Sequence, residues 1–154
     1  MDDDPIMVAI MDAVAVLHAG RREEARVQFE AICSAFSLRA DPLHECTLAH
    51  FMADTHDNPA VELEWNLRAL RAAERAWPGG MPAPDWAPPI RTFFPSLHLN
   101  VADAYLRLGD TVNARVHLKA GLERVGDLPH NGYGAMIRSG LDRLAARLGG
   151  FVLG

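Results

Sequence analysis

His50 and Asp54 could do chemistry together, because they stand four positions apart. On a helix this spacing puts both side chains on one face, where an imidazole and a carboxylate can share a metal ion or act as an acid and base pair. His44, His56 and Asp57 lie nearby in the sequence. The spacing differs from the His-Glu-x-x-His pattern of zinc enzymes, and no cysteine pair, nucleophile motif or glycine-rich phosphate loop accompanies it. We therefore interpret the pair as a histidine bonded to an aspartate, and predict neither a catalytic residue nor a metal or cofactor site.

An internal repeat predicts the elements that must position these residues. One series of steps, +3, +4, +5 and +4, occurs three times. Each copy has two residues one turn apart on a first helix, a breaker or polar residue that ends it, and two residues that open a second helix. The copies are Ala13, Val16, Gly20, Ala25 and Phe29; Ala49, Met52, His56, Val61 and Trp65; and Ala102, Tyr105, Gly109, Ala114 and Leu118.

Capping and breaking residues set the limits of these helical hairpins. Asp4-Pro5 and Asp41-Pro42 each place a proline directly after an N-cap residue, at the first helical position. We predict hairpins over about 5–37, 42–76 and 94–125, joined by a loop over 77–93 that is rich in proline, glycine and aromatic residues. A last helix over about 131–148 caps the third hairpin. The prediction is one domain over 1–154 with an all-α fold of about seven helices.

Composition narrows the functional classes. The 154-residue chain has a formal charge of −5 and no basic stripe for a phosphate backbone, so we predict no nucleic-acid partner. It begins with acidic residues at positions 2–4, unlike a secretory signal, and no apolar run is long enough to span a membrane. Cys33 and Cys46 lie among apolar neighbours, where free cysteines act as small buried hydrophobes. These features predict a cytoplasmic protein without a membrane contact.

The repeat resembles the tetratricopeptide repeat family, whose hairpins of about 34 residues carry small and bulky residues at these steps. The copy from Asn100 through Leu118 is close to the family pattern. The second copy departs from it with His56 in place of glycine and Val61 in place of alanine, and the first lacks the aromatic residue at Val16. The resemblance implies a right-handed superhelix whose first helices line a concave groove for a peptide or a partner helix.

The groove positions of that family correspond to Thr47, His50 and Asp54 in the second hairpin and to Asn100, Asp103 and Arg107 in the third. In the family, an asparagine on this face often hydrogen-bonds a ligand's main chain, so Asn100 is the first of these residues to test. Arg107 and Asp103 can instead form an ion pair within their own helix. Acidic residues and a histidine stand where the variant that binds a C-terminal carboxylate has lysines and arginines, which argues against an acidic tail as the ligand.

The resemblance implies a non-catalytic scaffold that binds a protein or peptide of unknown identity. The alternative is a regulatory or sensing domain that binds a small ligand or a short signalling peptide in the same groove. A metal-dependent or acid-base enzyme at His50 and Asp54 is less favoured. The aromatic residues Trp77, Trp86, Phe93 and Phe94 are expected to pack within the loop's own core or, less favoured, to face a partner. The apolar tail over 149–154 makes a homodimer a further alternative.

Overall fold

The chain folds into seven α-helices over the residues that the structure describes. A computed structural model describes the backbone of residues 4–77 and 88–149 and the side chains of 4–77 and 92–149, and within these ranges it contains no β-strand. This confirms the predicted all-α class and the number of helices. The helices are α1 (Pro5–His18), α2 (Arg22–Ala35), α3 (Pro42–Ala53), α4 (Pro59–Ala76), α5 (Pro88–Arg107), α6 (Thr111–Glu123) and α7 (Gly132–Arg147).

Four of these helices begin at a side-chain cap, and the caps of α1 and α3 are those predicted from the sequence. The carboxylates of Asp4, Asp41 and Asp110 accept from backbone N–H groups in the first turns of α1, α3 and α6, at 2.9, 2.9 and 3.0 Å. The side-chain oxygen of Asn131 accepts from the N–H of Gly134 at 3.0 Å at the start of α7. Each bond satisfies one of the N–H groups that lack a partner within the helix.

Glycines in the left-handed region close the first and third hairpins. Gly20 has φ +87° and Gly109 has φ +84°. The N–H of Asp110 bonds the carbonyl of Tyr105 and the N–H of Gly109 bonds that of Leu106, both at 2.9 Å, and the turn at Gly20 repeats the pattern. This pair of bonds is the Schellman motif, which favours glycine because other side chains clash with the backbone at positive φ.

Replacing Gly109 with alanine is expected to destabilise the chain by about 1 kcal/mol, since the residue must keep its positive φ although nothing stands within 4 Å of the added methyl. Gly126→Ala is the control, because Gly126 also has open space but no positive φ. Urea unfolding followed by circular dichroism measures both variants. Equal effects at the two positions would contradict the conformational explanation.

The second hairpin closes without such a glycine. His56 stands at the position of Gly20 and Gly109, and none of the non-glycine residues with a described backbone has a positive φ. Two arginines of α2 hold this turn instead: Arg22 Nη2 donates to Asp57 Oδ1 at 2.9 Å, and Arg26 Nη1 donates to the carbonyl of Thr55 at 3.3 Å. The turn of the second copy of the repeat, which has His56 in place of glycine, is therefore held by hydrogen bonds from the neighbouring helix α2.

The chain divides into two compact units, Met1–Ala76 and Trp77–Gly154. In the first unit α1 pairs with α2 and α3 with α4, and both α1 and α2 contact α3. In the second unit α5 pairs with α6, and α7 packs on both. Each unit has its own core. Buried residues of the first core are Ile10, Ala13, Val14, Ala25, Phe29, Ile32, Leu38, Leu48 and Met52, and those of the second are Ala102, Ala114, Leu118, Leu128, Ile137, Leu141, Leu144 and Leu148.

Helix α5 begins at Pro88, six residues before the predicted start of the third hairpin at 94. Prolines at the first helical positions need no N–H donor, so Pro88 and Pro89 open a helix where the sequence indicated a loop. The helix also continues through Pro95, which lies inside α5 and is fully buried. Residues 78–87 of the predicted loop lie outside the described residues.

Candidate functional site

The three candidate residues of the first unit lie along α3, with Thr47 in the middle of the helix, His50 in its last turn and Asp54 at its C-cap. Thr47 is half-buried, and its hydroxyl donates to the carbonyl of Leu43 at 2.7 Å, a bond within its own helix. Asp54 follows the last residue of α3, and its backbone carbonyl accepts from Arg22 Nε at 3.2 Å. Burial raises the pKa of the Asp54 carboxyl, and the nearby Glu62 carboxylate adds to this, whereas His18 and Arg22 act in the opposite direction.

His50 stands against the ring of Phe51, with centroids 4.8 Å apart, and His18 of α1 stands against that ring as well, at 5.9 Å. Burial lowers the pKa of His50 to about 4, so its imidazole is neutral at pH 7. A general base works best with a pKa near the working pH. The environment of His50 thus suits an uncharged hydrogen-bonding ring better than acid-base catalysis. Within the described residues, no group of three histidine, cysteine or acidic side chains could hold a metal ion.

The three candidate residues of the second unit lie on α5, and two of them form the predicted ion pair. Arg107 Nε donates to Asp103 Oδ2 at 3.0 Å. The other carboxylate oxygen of Asp103 accepts from Arg147 Nη1 at 3.2 Å, so Asp103 also links α5 to α7. The pairing with Arg147 was not predicted. Thr47, His50 and Asp54 belong to one unit and these three residues to the other.

A cleft of about 290 Å³ lies between α5 and α7, and two of the candidate residues line it. Its lining is Leu99, Asn100, Asp103, Gly140, Arg143, Leu144 and Arg147. Gly140 leaves room for the side chain of Leu99, because a Cβ at this position would stand 2.7 Å from Leu99 Cδ2. We call this concavity the α5–α7 cleft. Its lining combines apolar with polar and charged side chains, the combination that ligand sites use for contact area and orientation.

The arginines of the α5–α7 cleft were not among the site residues predicted from the sequence. Arg143 and Arg147 are both exposed and stand one turn apart on α7. Arg143 makes no ion pair or hydrogen bond in the part of the chain that the structure describes. The only signal in the sequence was their spacing of four residues on the polar side of the last helix.

Aromatic residues at the two ends of the predicted loop pack around a guanidinium in the second unit. Phe94 is buried, and the rings of Trp77 and Phe94 meet at a centroid distance of 5.7 Å. Arg124 lies over both rings, 4.2 Å from the centroid of Phe94 and 5.0 Å from that of Trp77. Phe93 is 36% exposed. Trp86 lies outside the described residues.

A histidine pair joins α5 to α6 in the same unit. The Nδ1 atoms of His98 and His117 are 3.0 Å apart, so one ring must donate and the other accept. Gly121 permits this close packing, since a Cβ there would stand 3.3 Å from His98 Cβ. Burial, reinforced by His117 and Arg124, lowers the pKa of His98 to about 4, and burial lowers the pKa of His117. Both imidazoles are therefore uncharged at neutral pH.

Acid is expected to destabilise the second unit through His98. The His98 imidazole takes up a proton near pH 6.5 in the unfolded chain but only near pH 4 in the folded chain. The folded state therefore loses stability as the pH falls through this window. We expect a loss of about 1–2 kcal/mol from this group between pH 7 and pH 5. The measurement is urea unfolding at both pH values. The His98→Gln variant should show a smaller pH dependence, while His130→Gln, at an exposed position, should match the wild type. A wild-type pH dependence in His98→Gln would disprove this assignment.

No protein-family model matches the chain, and no curated protein or solved structure matches it either. The resemblance to tetratricopeptide repeats and the right-handed superhelix stay predictions from the sequence. Among the helices of the described residues, none combines the length and apolar character needed to cross a membrane.

Proposed function

We propose that the chain is a non-catalytic binding protein that holds a segment of a protein or peptide partner in the α5–α7 cleft. The observation that carries this proposal is that Asn100 and Asp103, chosen from the sequence as groove residues, line the cleft with two arginines of α7. A volume of about 290 Å³ is at the lower limit of cofactor-sized sites, and it suits one or two amino-acid side chains. The histidine of the competing enzyme hypothesis, His50, is neutral with a pKa far below 7.

Helix α5 makes the cleft a rigid site. Val101, Ala102 and Ala104 are fully buried, so the neighbouring positions Asn100 and Asp103 stand on a helix fixed by its core. On the other wall, Leu141 and Leu144 bury the inner face of α7. The backbone that carries the polar groups of the cleft thus needs little ordering when a ligand binds, which lowers the entropic cost of association.

A cytoplasmic location is part of this proposal, and its support is the state of the cysteines. Cys33 and Cys46 are both free thiols, and burial raises the pKa of Cys46 to about 12. Unpaired, unreactive thiols fit a reducing compartment.

The test is a selection from a random peptide display library, followed by affinity measurements on synthetic peptides with the wild type and Asn100→Ala. We expect the selected peptides to bind Asn100→Ala at least about tenfold more weakly, because a polar contact to the ligand is lost. Asn113→Ala is the matched control, since Asn113 is exposed on α6 and is absent from the cleft lining. Circular dichroism checks that both variants fold. Equal binding by all three proteins, or no selected peptide, would overturn the proposal.

A further inference from the structure

We propose that the group recognised in the α5–α7 cleft is a carboxylate of the partner peptide, carried by an acidic side chain or by the C terminus. This inference rests on the proposed function and adds the chemistry of the ligand. It is carried by Arg143 and Arg147, which line the cleft beside the amide of Asn100.

Among the described residues, the charges of the cleft leave the guanidinium of Arg143 without a partner. Asp103 is the acidic residue of the lining, and both of its carboxylate oxygens are occupied, by Arg107 at 3.0 Å and by Arg147 at 3.2 Å. Arg143 makes no ion pair or hydrogen bond with the described residues. The cleft is therefore locally cationic, although the whole chain carries a formal charge of −5. A local cationic site attracts and orients an anionic group.

The geometry of the arginines suits a carboxylate. A guanidinium has five N–H donors in a planar fork that matches two carboxylate oxygens. Arg147 uses one Nη atom for Asp103, which holds the side chain in place and leaves other N–H groups for a ligand. Leu99 and Leu144 offer apolar contact to the methylene groups beside the carboxylate.

A single negative charge fits this site better than a phosphate group. Asp103 stays in the lining after its two ion pairs form, so a doubly charged ligand would meet a like charge within the cleft. One carboxylate balances the guanidinium of Arg143, which has no partner among the described residues of the chain. The acidic residues and the histidine that disfavour an acidic ligand at the groove positions lie on α3 and α5, whereas the cations of the cleft come from α7.

The experiment uses three peptides that differ in one group: acetyl-Gly-Leu-Glu-Leu-Gly-amide, its glutamine counterpart, and the glutamine peptide with a free C terminus. Each is titrated into the full chain while the side-chain Nε–H signals of Arg143 and Arg147 are followed by NMR. We expect saturable shifts with a carboxylate peptide and at least about tenfold weaker binding of the neutral peptide. Whichever carboxylate peptide binds identifies the side chain or the C terminus as the source.

Two variants test whether peptide binding depends on a specific contact with Arg143 or only on the overall charge of the chain. Arg143→Gln is expected to weaken binding at least about tenfold, whereas Arg71→Gln should change nothing, because Arg71 is an exposed arginine of the other unit. Equal binding of the neutral and acidic peptides, or no shift of either arginine signal with any peptide, would overturn the inference. If the library selection still yields peptides that depend on Asn100, the proposed function stands and only the carboxylate is wrong. If it yields none, both are wrong.

Discussion

Replacing Gly134 with alanine is expected to lower the free energy of unfolding of the second unit by about 2–3 kcal/mol, the cost of overpacking a buried site. Gly134 is buried in the first turn of α7, and a Cβ there would overlap the backbone carbonyl oxygen of Pro129. The side chain of Arg138 stands 3.2 Å away on another side. The backbone of Gly134 is itself held by its bond to Asn131, so relief requires moving the start of α7 or the chain before it.

Gly132→Ala provides a control two residues earlier in the same helix. Nothing lies within 4 Å of a Cβ at Gly132, and alanine has the higher helix propensity, so this variant should be neutral or slightly stabilised. Urea unfolding followed by circular dichroism gives both free energies, and hydrogen exchange in α6 and α7 shows whether the loss is confined to the second unit. If the Gly134→Ala protein were as stable as Gly132→Ala, the carbonyl of Pro129 could move away from the added methyl group without an energetic cost, and the prediction would be wrong.

The features that the sequence predicted well depend on residues close together in the chain. Asp4 and Asp41 accept from N–H groups two or three residues away, and Gly20 and Gly109 end helices within the same turn. Such signals need no knowledge of the tertiary fold. Many residues of the repeat are buried, among them Ala13, Phe29 and Leu118, whereas Val61 and Trp65 of the second copy are only half-buried.

The features that were missed depend on how distant elements meet. Gly134 requires glycine because the carbonyl of Pro129 packs against it, and nothing in the sequence distinguishes it from Gly132. Arg147 reaches Asp103 across 44 residues, through the docking of α7 on α5. The start of α5 was placed too late for another reason, because prolines favour both loops and the first positions of a helix. The helical walls of the site were therefore predictable, and its arginines were not.

Glu45 on α3 is a second case in which tertiary structure decides the role of a residue. Its side chain is only 3% exposed, and its carboxylate accepts from Arg68 Nε and Arg75 Nη1 of α4, both at 2.7 Å. Arg75 also donates to the carbonyl of Arg39 at 3.3 Å. A charge taken out of water is tolerated only with such partners, so this carboxylate joins α3 to α4 at the cost of its own desolvation.

Glu45→Gln is expected to destabilise the first unit by about 2–3 kcal/mol, somewhat less than the loss of a fully buried ion pair. The reduction follows from the arginines, which are 36% and 42% exposed and can be hydrated when the carboxylate is lost. Glu74→Gln is the matched control, because it removes the same charge at an exposed position of α4 and should change stability by less than about 0.5 kcal/mol. Urea unfolding at pH 7 compares the two variants with the wild type.

The pH dependence of the unfolding free energy distinguishes whether Glu45 stabilises the first unit through its ion pairs or through its packing. Burial acts to raise the pKa of Glu45, but the hydrogen bonds from Arg68 and Arg75 outweigh it and hold the pKa below its usual value of 4.5. The folded chain therefore binds fewer protons here than the unfolded chain, so this stabilisation is present above pH 4.5 and is lost as the pH falls below it. The difference in unfolding free energy between the wild type and Glu45→Gln should narrow when the pH is lowered from 5 to about 3. A constant difference would mean that glutamine disturbs the packing of α3 on α4, and that the charge of Glu45 contributes nothing.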